Sequence, residues 1–161
     1  MSFKLNPKRK KNWKYPLQLL GVKLGFQNVD FYYKHGDNEL VIGEGCSTCD
    51  AIFNCSSGKI VVGKNTVFGH NVVLLTGTHL FYRGRRAKLA GAPYAETPKE
   101  GRDITIGEGC FIGSFALLIG PCILGDNVRV SAGSVVTGTI KEGTTVYGNT
   151  LVSNGYYIKE L

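Results

Sequence analysis

Aliphatic residues recur every six positions over most of this chain. Ile106, Ile112, Leu118, Leu124, Val130 and Val136 follow one another at that interval without a slip. Four residues after each stand Cys110, Ala116, Cys122, Val128, Ser134 and Ile140, mostly small, and Gly107, Gly113 and Gly125 directly follow their aliphatic neighbours. The same phase appears earlier as Val62, Phe68 and Leu74, with Thr66, Val72 and Thr78 four places on. Residues 42–61 fit as a looser, earlier coil.

A period of six is neither the 3.6 of a helix nor the alternation of a single strand, and self-similarity at a short fixed period marks a solenoid. Each hexad can form one short strand and one turn. Three hexads then close a triangular coil with the aliphatic residues inside, and successive coils stack as parallel strands about 4.8 Å apart. Stacking builds a core that no single coil could bury. The glycines suit tight corners, where positive φ or a close backbone approach leaves no room for a Cβ. The pattern therefore predicts an all-β solenoid of about five coils.

Residues 80–103 interrupt this rhythm. The chain leaves the repeat just after His79 and regains it at Ile104. Hexad position makes His79 the last residue of the unit begun by Leu74, outside the core and at the root of the excursion. Long loops on compact repeats are usually functional or disordered, which makes His79 a candidate for chemistry. Within the loop, Tyr82, Arg83 and Arg85 are candidates for an acceptor carrying phosphate, because guanidinium forks match phosphate oxygens.

Composition narrows the setting. At 161 residues and 43% hydrophobic, the chain can bury one continuous core. No apolar run approaches the roughly 20 residues that span a bilayer, and the basic start has no apolar signal region behind it, so a cytoplasmic location is expected. Five cysteines, an odd number, fit reduced thiols better than bridges. Six of the seven net positive charges are Lys4, Lys8, Arg9, Lys10, Lys11 and Lys14, with no acid among the first fourteen residues. Residues 1–25 thus read as a basic arm, able to contact the inner face of a membrane, ahead of a nearly neutral domain over 26–161. No nucleic-acid motif accompanies the arm.

The phrase IGEGCFIGSFALLIGPCILGDNVRVSAGSVVTGTI, residues 106–140, resembles the hexapeptide-repeat acyltransferases, and the resemblance extends over roughly residues 40–152. It implies a left-handed parallel β-helix, a homotrimer with sites at subunit interfaces, and acetyl-coenzyme A as donor to a sugar hydroxyl or saccharide precursor. TGTH, an excursion, then ITIG resembles the surroundings of the catalytic histidine in the sugar acetyltransferases of this family, which implies His79 as general base. FNC at Phe53 to Cys55 implies Asn54 as the residue orienting acceptor or imidazole. Gly113 and Ser114 of IGS, with Ala132 and Gly133 of SAGSVVT, match positions that contact the acyl and pantetheine end of the coenzyme. Three departures stand out: Phe111 replaces a frequent Trp, Gly138 a frequent Lys, and GNTLV a usual Gly-x-Pro. Lys141 is the candidate to supply the missing charge near the phosphates.

Imidazole suits the implied task, because a neutral ring with a pKa near 6.5 can take the proton of an attacking hydroxyl and return it to a departing thiolate. No metal is required. The alternatives are N-acetylation of a nucleotide-linked amino sugar, a γ-class carbonic anhydrase on the same fold, and a non-catalytic solenoid. The anhydrase needs three converging imidazoles on zinc. Of His35, His70 and His79, the last two occupy different hexad positions and should face different ways, and Cys46-x2-Cys49 is an isolated pair.

Overall fold

The computed structural model describes residues 32–150, which wind as a parallel β-solenoid of triangular cross-section. One face stacks Tyr33–His35, Ile52–Asn54, Val73–Leu75, the first halves of Leu117–Leu124 and Val135–Ile140, and Asn149–Thr150. The next face stacks Leu40–Ile42, Ile60–Val62, Ile104–Ile106 and the second halves of the two long strands. The third stacks Val67–Phe68, Phe111–Ile112, Arg129–Val130 and Thr145–Val146, headed by a bridge from Ser47 to Val67. This architecture fits the left-handed parallel β-helix that the family resemblance implies.

The first face carries six rungs rather than the expected five. The extra rung, Tyr33–His35, is exposed at all three residues and carries no inward aliphatic, so nothing in the hexad pattern marks it. The basic arm, residues 26–31 and residues 151–161 lie outside the described residues.

Inward residues form ladders because parallel pairing keeps equivalent positions in register from coil to coil. Phe53, Leu74, Leu118 and Val136 stack on the first face, and Phe68, Ile112, Val130 and Val146 on the third. On the second face Val62, Ile106, Leu124 and Ile140 do the same. All twelve are buried. The phenyl rings of Phe53 and Phe68 meet edge to face across the interior, centroids 5.8 Å apart. The small residues at the second hexad position are buried as well, from Thr66 to Ser134, and only Thr78 is half-buried; Ile140, expected at that position, instead continues the second-face ladder opposite Leu124.

The hexad glycines are required by contact, not by dihedral. A Cβ on Gly107 would lie 2.6 Å from the backbone nitrogen of Asp126 in the next coil, and one on Gly125 2.5 Å from that of Glu142. Positive φ falls at other corner positions, including Asn65, Asn71 and Asn127, a residue type that tolerates it.

Residues 80–103 project where the first face turns into the second. Phe81–Tyr82 and Arg85–Arg86 pair as a short antiparallel hairpin about Arg83 and Gly84, both with positive φ. Ala87, fully buried, donates its N–H to the Leu80 carbonyl. At the loop's return Arg102 Nε donates to the Thr76 carbonyl at 2.7 Å, and Asn38 Nδ2 donates to the Lys99 carbonyl at 2.8 Å. The excursion is therefore tied to the solenoid at its root. Among the described residues no helix is long and apolar enough to cross a membrane.

Two outcomes follow from the ladders. Leu118→Ala should cost about 2–5 kcal/mol in chemical denaturation, since the side chain is fully buried between Leu74 and Val136 and its neighbours cannot close the gap. Burial pushes the Cys122 thiol up to about 12 and raises those of Cys55 and Cys110 in the same direction. Iodoacetamide at pH 8 should accordingly label Cys46 and Cys49 in the folded protein after chelation and reach the other three thiols only on unfolding; peptide mass spectrometry reads the difference.

Candidate functional site

The corner holding His79 is built by the residues that end the first face. Asn54 stands in register with His35 on one side and Leu75 on the other. Thr76 follows Leu75 inward; its Oγ1 donates to the Asn54 carbonyl at 2.7 Å and accepts the Ser57 N–H at 3.1 Å, which locks two coils together at the turn. Gly77 comes next because Asn54 leaves no space. A Cβ there would lie 2.8 Å from Asn54 Oδ1. That same Oδ1 accepts the Ser56 N–H at 3.0 Å, so the Nδ2 hydrogens are what Asn54 can offer a ligand.

A cleft of about 390 Å³ opens at this corner, lined by His35, Asn54, Ser56, Leu75, Gly77, Thr78, His79 and Thr97. His79 is 59% exposed, while Glu96, which faces it from the loop, is 13% exposed. The Nδ1 of His79 lies 3.6 Å from Glu96 Oε1, and Arg86 Nε lies 3.3 Å from the same oxygen. The carboxylate is placed by its own backbone, since the Glu96 carbonyl accepts the Leu80 N–H at 2.7 Å. At 3.6 Å the His79 contact is electrostatic rather than a formed hydrogen bond. A carboxylate beside Nδ1 favours the tautomer with its proton on that nitrogen, leaving the Nε2 lone pair for a ligand. Arg86 shares the carboxylate and keeps its charge balanced in a half-shielded setting.

His79 and Asn54 line the same cleft, together with His35 and Thr97, and Glu96 stands beside His79. Glu96 and Thr97 lie in the loop, where no period assigns a direction to a side chain. His35 comes from the rung that the hexad pattern does not mark.

The residues expected to meet the donor gather elsewhere. Gly113, Ser114, Ala132 and Gly133 occupy the corner where the third face turns into the first. There Ser114 Oγ accepts the His70 N–H at 3.1 Å, and the Ser114 carbonyl accepts the Gly133 N–H at 2.9 Å. The width of the first face separates this corner from His79 within one chain. Lys141 stands at the third corner, exposed and beside neither group. On the hairpin, Tyr82 packs edge to face on Tyr94 at 6.0 Å, and the Arg83 guanidinium lies 5.0 Å above the Tyr82 ring. Arg85 is exposed opposite Tyr82. His70 stands at the Ser114 corner, so the three histidines do not converge.

Comparison with known proteins agrees with this architecture. Residues 103–138 match the family described as bacterial transferase hexapeptide (six repeats). The chain is 31% identical over 119 residues to the provisionally named acetyltransferase YJL218W of Saccharomyces cerevisiae, covering 74% of this chain and 56% of that protein. It is 30% identical over 91 residues to the provisionally named acetyltransferase YvoF of Bacillus subtilis, covering 56% and 44%. A 50-residue segment is 42% identical to the bifunctional protein GlmU of Bifidobacterium longum, covering 31% and 11%. The chain therefore spans about half the length of the two acetyltransferase-named relatives.

Proposed function

We propose that this hexapeptide-repeat chain is an acetyltransferase that moves an acetyl group from acetyl-coenzyme A to a hydroxyl of a sugar or saccharide precursor. The observation that carries the reading is the His79–Glu96 pair in a cleft at the root of the loop. His79 Nε2 takes the proton of the acceptor hydroxyl as that oxygen attacks the thioester carbonyl. The tetrahedral oxyanion collapses, the carbon–sulfur bond breaks, and the imidazolium returns the proton to the leaving thiolate. A backbone N–H at a rigid solenoid corner is suited to the oxyanion, because it is already oriented when charge develops.

Glu96 is a positioning residue in this scheme, holding the ring and stabilising the imidazolium that forms in each cycle. The cleft's lining supports a polyhydroxylated acceptor: Asn54, Ser56, Thr78 and Thr97 offer hydroxyl and amide groups, with Leu75 the one apolar side chain among them. Tyr82, Arg83 and Arg85 on the hairpin are the residues suited to a phosphate-bearing acceptor, since guanidinium forks match phosphate oxygens.

The separation of His79 from Ser114 and Gly133 favours a homotrimer. In such an assembly the Ser114 corner of one subunit brings its small residues beside the His79 corner of the next, and the thioester lies between them. Five cysteines without a disulfide suit the cytoplasm, where coenzyme A is available.

His79→Ala should lower turnover by roughly 10²- to 10⁴-fold with coenzyme binding and fold retained, since the side chain stands outside the ladders. Acetyl-coenzyme A assays against free sugars, amino sugars and nucleotide-linked sugars read this, and near-normal transfer by the variant on the best acceptor refutes the mechanism. Glu96→Gln should reduce kcat by up to about 10²-fold with little change in KM, because it disturbs the aim of the imidazole rather than the acceptor's contacts. Light scattering should give three chains per particle; an active monomer would contradict the shared site.

A further inference from the structure

The corner that carries Ser114 holds a second cluster one coil earlier, outside the cleft just described. Cys49 and Asp50 end one coil and His70 stands beside them in the next. Cys49 Sγ lies 3.6 Å from His70 Nδ1, and Asp50 Oδ1 lies 3.7 Å from the same nitrogen. The three donor atoms all fall within 4.8 Å of one another. We propose that they bind a divalent transition-metal cation of the zinc class, through the Cys49 thiolate, His70 Nδ1 and one Asp50 oxygen, with the fourth position open.

Two features favour a cation over a hydrogen-bonded trio. First, sulfur and carboxylate oxygen both approach one ring nitrogen, and that nitrogen has a single in-plane site, occupied by either a proton or a lone pair. It can serve one partner by hydrogen bonding, whereas a cation at the point of convergence serves both. Second, the spacing fits. Tetrahedral zinc, with bonds of about 2.3 Å to sulfur and about 2.0–2.1 Å to nitrogen and oxygen, sets sulfur and nitrogen about 3.5 Å apart and nitrogen and oxygen about 3.4 Å apart. The observed 3.6 and 3.7 Å lie within a few tenths of an ångström of those edges.

The residues around the cluster suit this role. Asp50 Oδ1 accepts the Asn71 N–H, which holds the carboxylate against the corner as outer-shell bonds hold metal ligands. Sγ lies nearly as close to Nε2, at 3.9 Å, as to Nδ1, so the ring must swing to aim the Nδ1 lone pair at the point of convergence, and its 71% exposure leaves it room to do so. Cys49 has φ of 51° and stands level with His70, Ser114 and Ala132 of the following coils, one place before their positive-φ residues Asn71, Phe115 and Gly133, so Cys49 and His70 end adjacent coils at the same level. The donor set selects the metal: thiolate with imidazole suits zinc or cobalt, whereas calcium and magnesium take oxygen ligands. Through the His70 N–H bond to Ser114 Oγ, the site adjoins the corner where the donor is proposed to lie, and its open position faces solvent as a place for water or an oxyanion. The site itself does not depend on the acetyltransferase reading.

The test is Co²⁺ titration of the full chain after chelation. One equivalent should produce thiolate-to-cobalt charge-transfer absorption in the near ultraviolet together with tetrahedral visible bands, and Zn²⁺ should displace both and protect Cys49 from iodoacetamide. Cys49→Ser should abolish the charge transfer, and His70→Ala and Asp50→Asn should each weaken binding by at least about tenfold. Cys46→Ser, which removes the neighbouring thiol, should retain the spectrum. Should Cys49→Ser fail to fold, the exposed His70→Ala supplies the same decision. Absence of charge transfer in the wild type, a band that survives Cys49→Ser, or affinity unchanged in His70→Ala overturns the proposal.

Discussion

The close seating of each coil on the next governs the rest of this molecule. Parallel pairing holds equivalent residues in register, so one inward aliphatic per strand becomes a continuous ladder and a short chain gains a core no coil could make alone. The glycines that follow those aliphatics keep the seating close. Gly107 and Gly125 press directly on the backbone of the next coil, and a single methyl there would push two rungs apart. Apolar burial supplies the driving force, and the glycine contacts fix the spacing at which it operates.

That spacing makes the corners rigid platforms. Thr76 is bonded to Asn54 and Ser57 of the preceding coil, so the residues after it leave the solenoid from a fixed point. The excursion can then return Glu96 to His79 with one backbone bond, Leu80 to Glu96, and carry Arg86 to the other side of the carboxylate. A cleft arises here because two exposed imidazoles, an amide and hydroxyls are held on stacked coils, while the loop adds Thr97 and the charge of Glu96. The same seating explains why Cys49, Asp50 and His70 converge, since residues that end successive coils must stand above one another.

The triangular section also divides labour. Each corner is a separate column of turns, and the first face keeps the His79 column away from the Ser114 column. The proposed transfer, which uses both columns, would on this geometry draw on a second chain. This is a constraint of geometry rather than of side-chain identity, and no substitution within one chain would remove it.

The sequence by itself determined the solenoid, its inward residues, the limits of the interruption at His79 and Ile104, and the candidacy of His79, because a six-residue period assigns every residue in a coil to a direction. Asn54 was legible only through the family resemblance of the FNC phrase, since it lies in the looser coil where the period slips. Only the tertiary structure decided where Glu96 and Thr97 point, since a loop without a period gives its side chains no direction. It also revealed the outer rung of Tyr33–His35, which carries no inward aliphatic, and with it the place of His35 in the cleft. The meeting of His70 with Cys49 and Asp50 likewise depends on how much chain one looser coil consumes, a length set by packing against its neighbours and not by any local preference of the residues themselves.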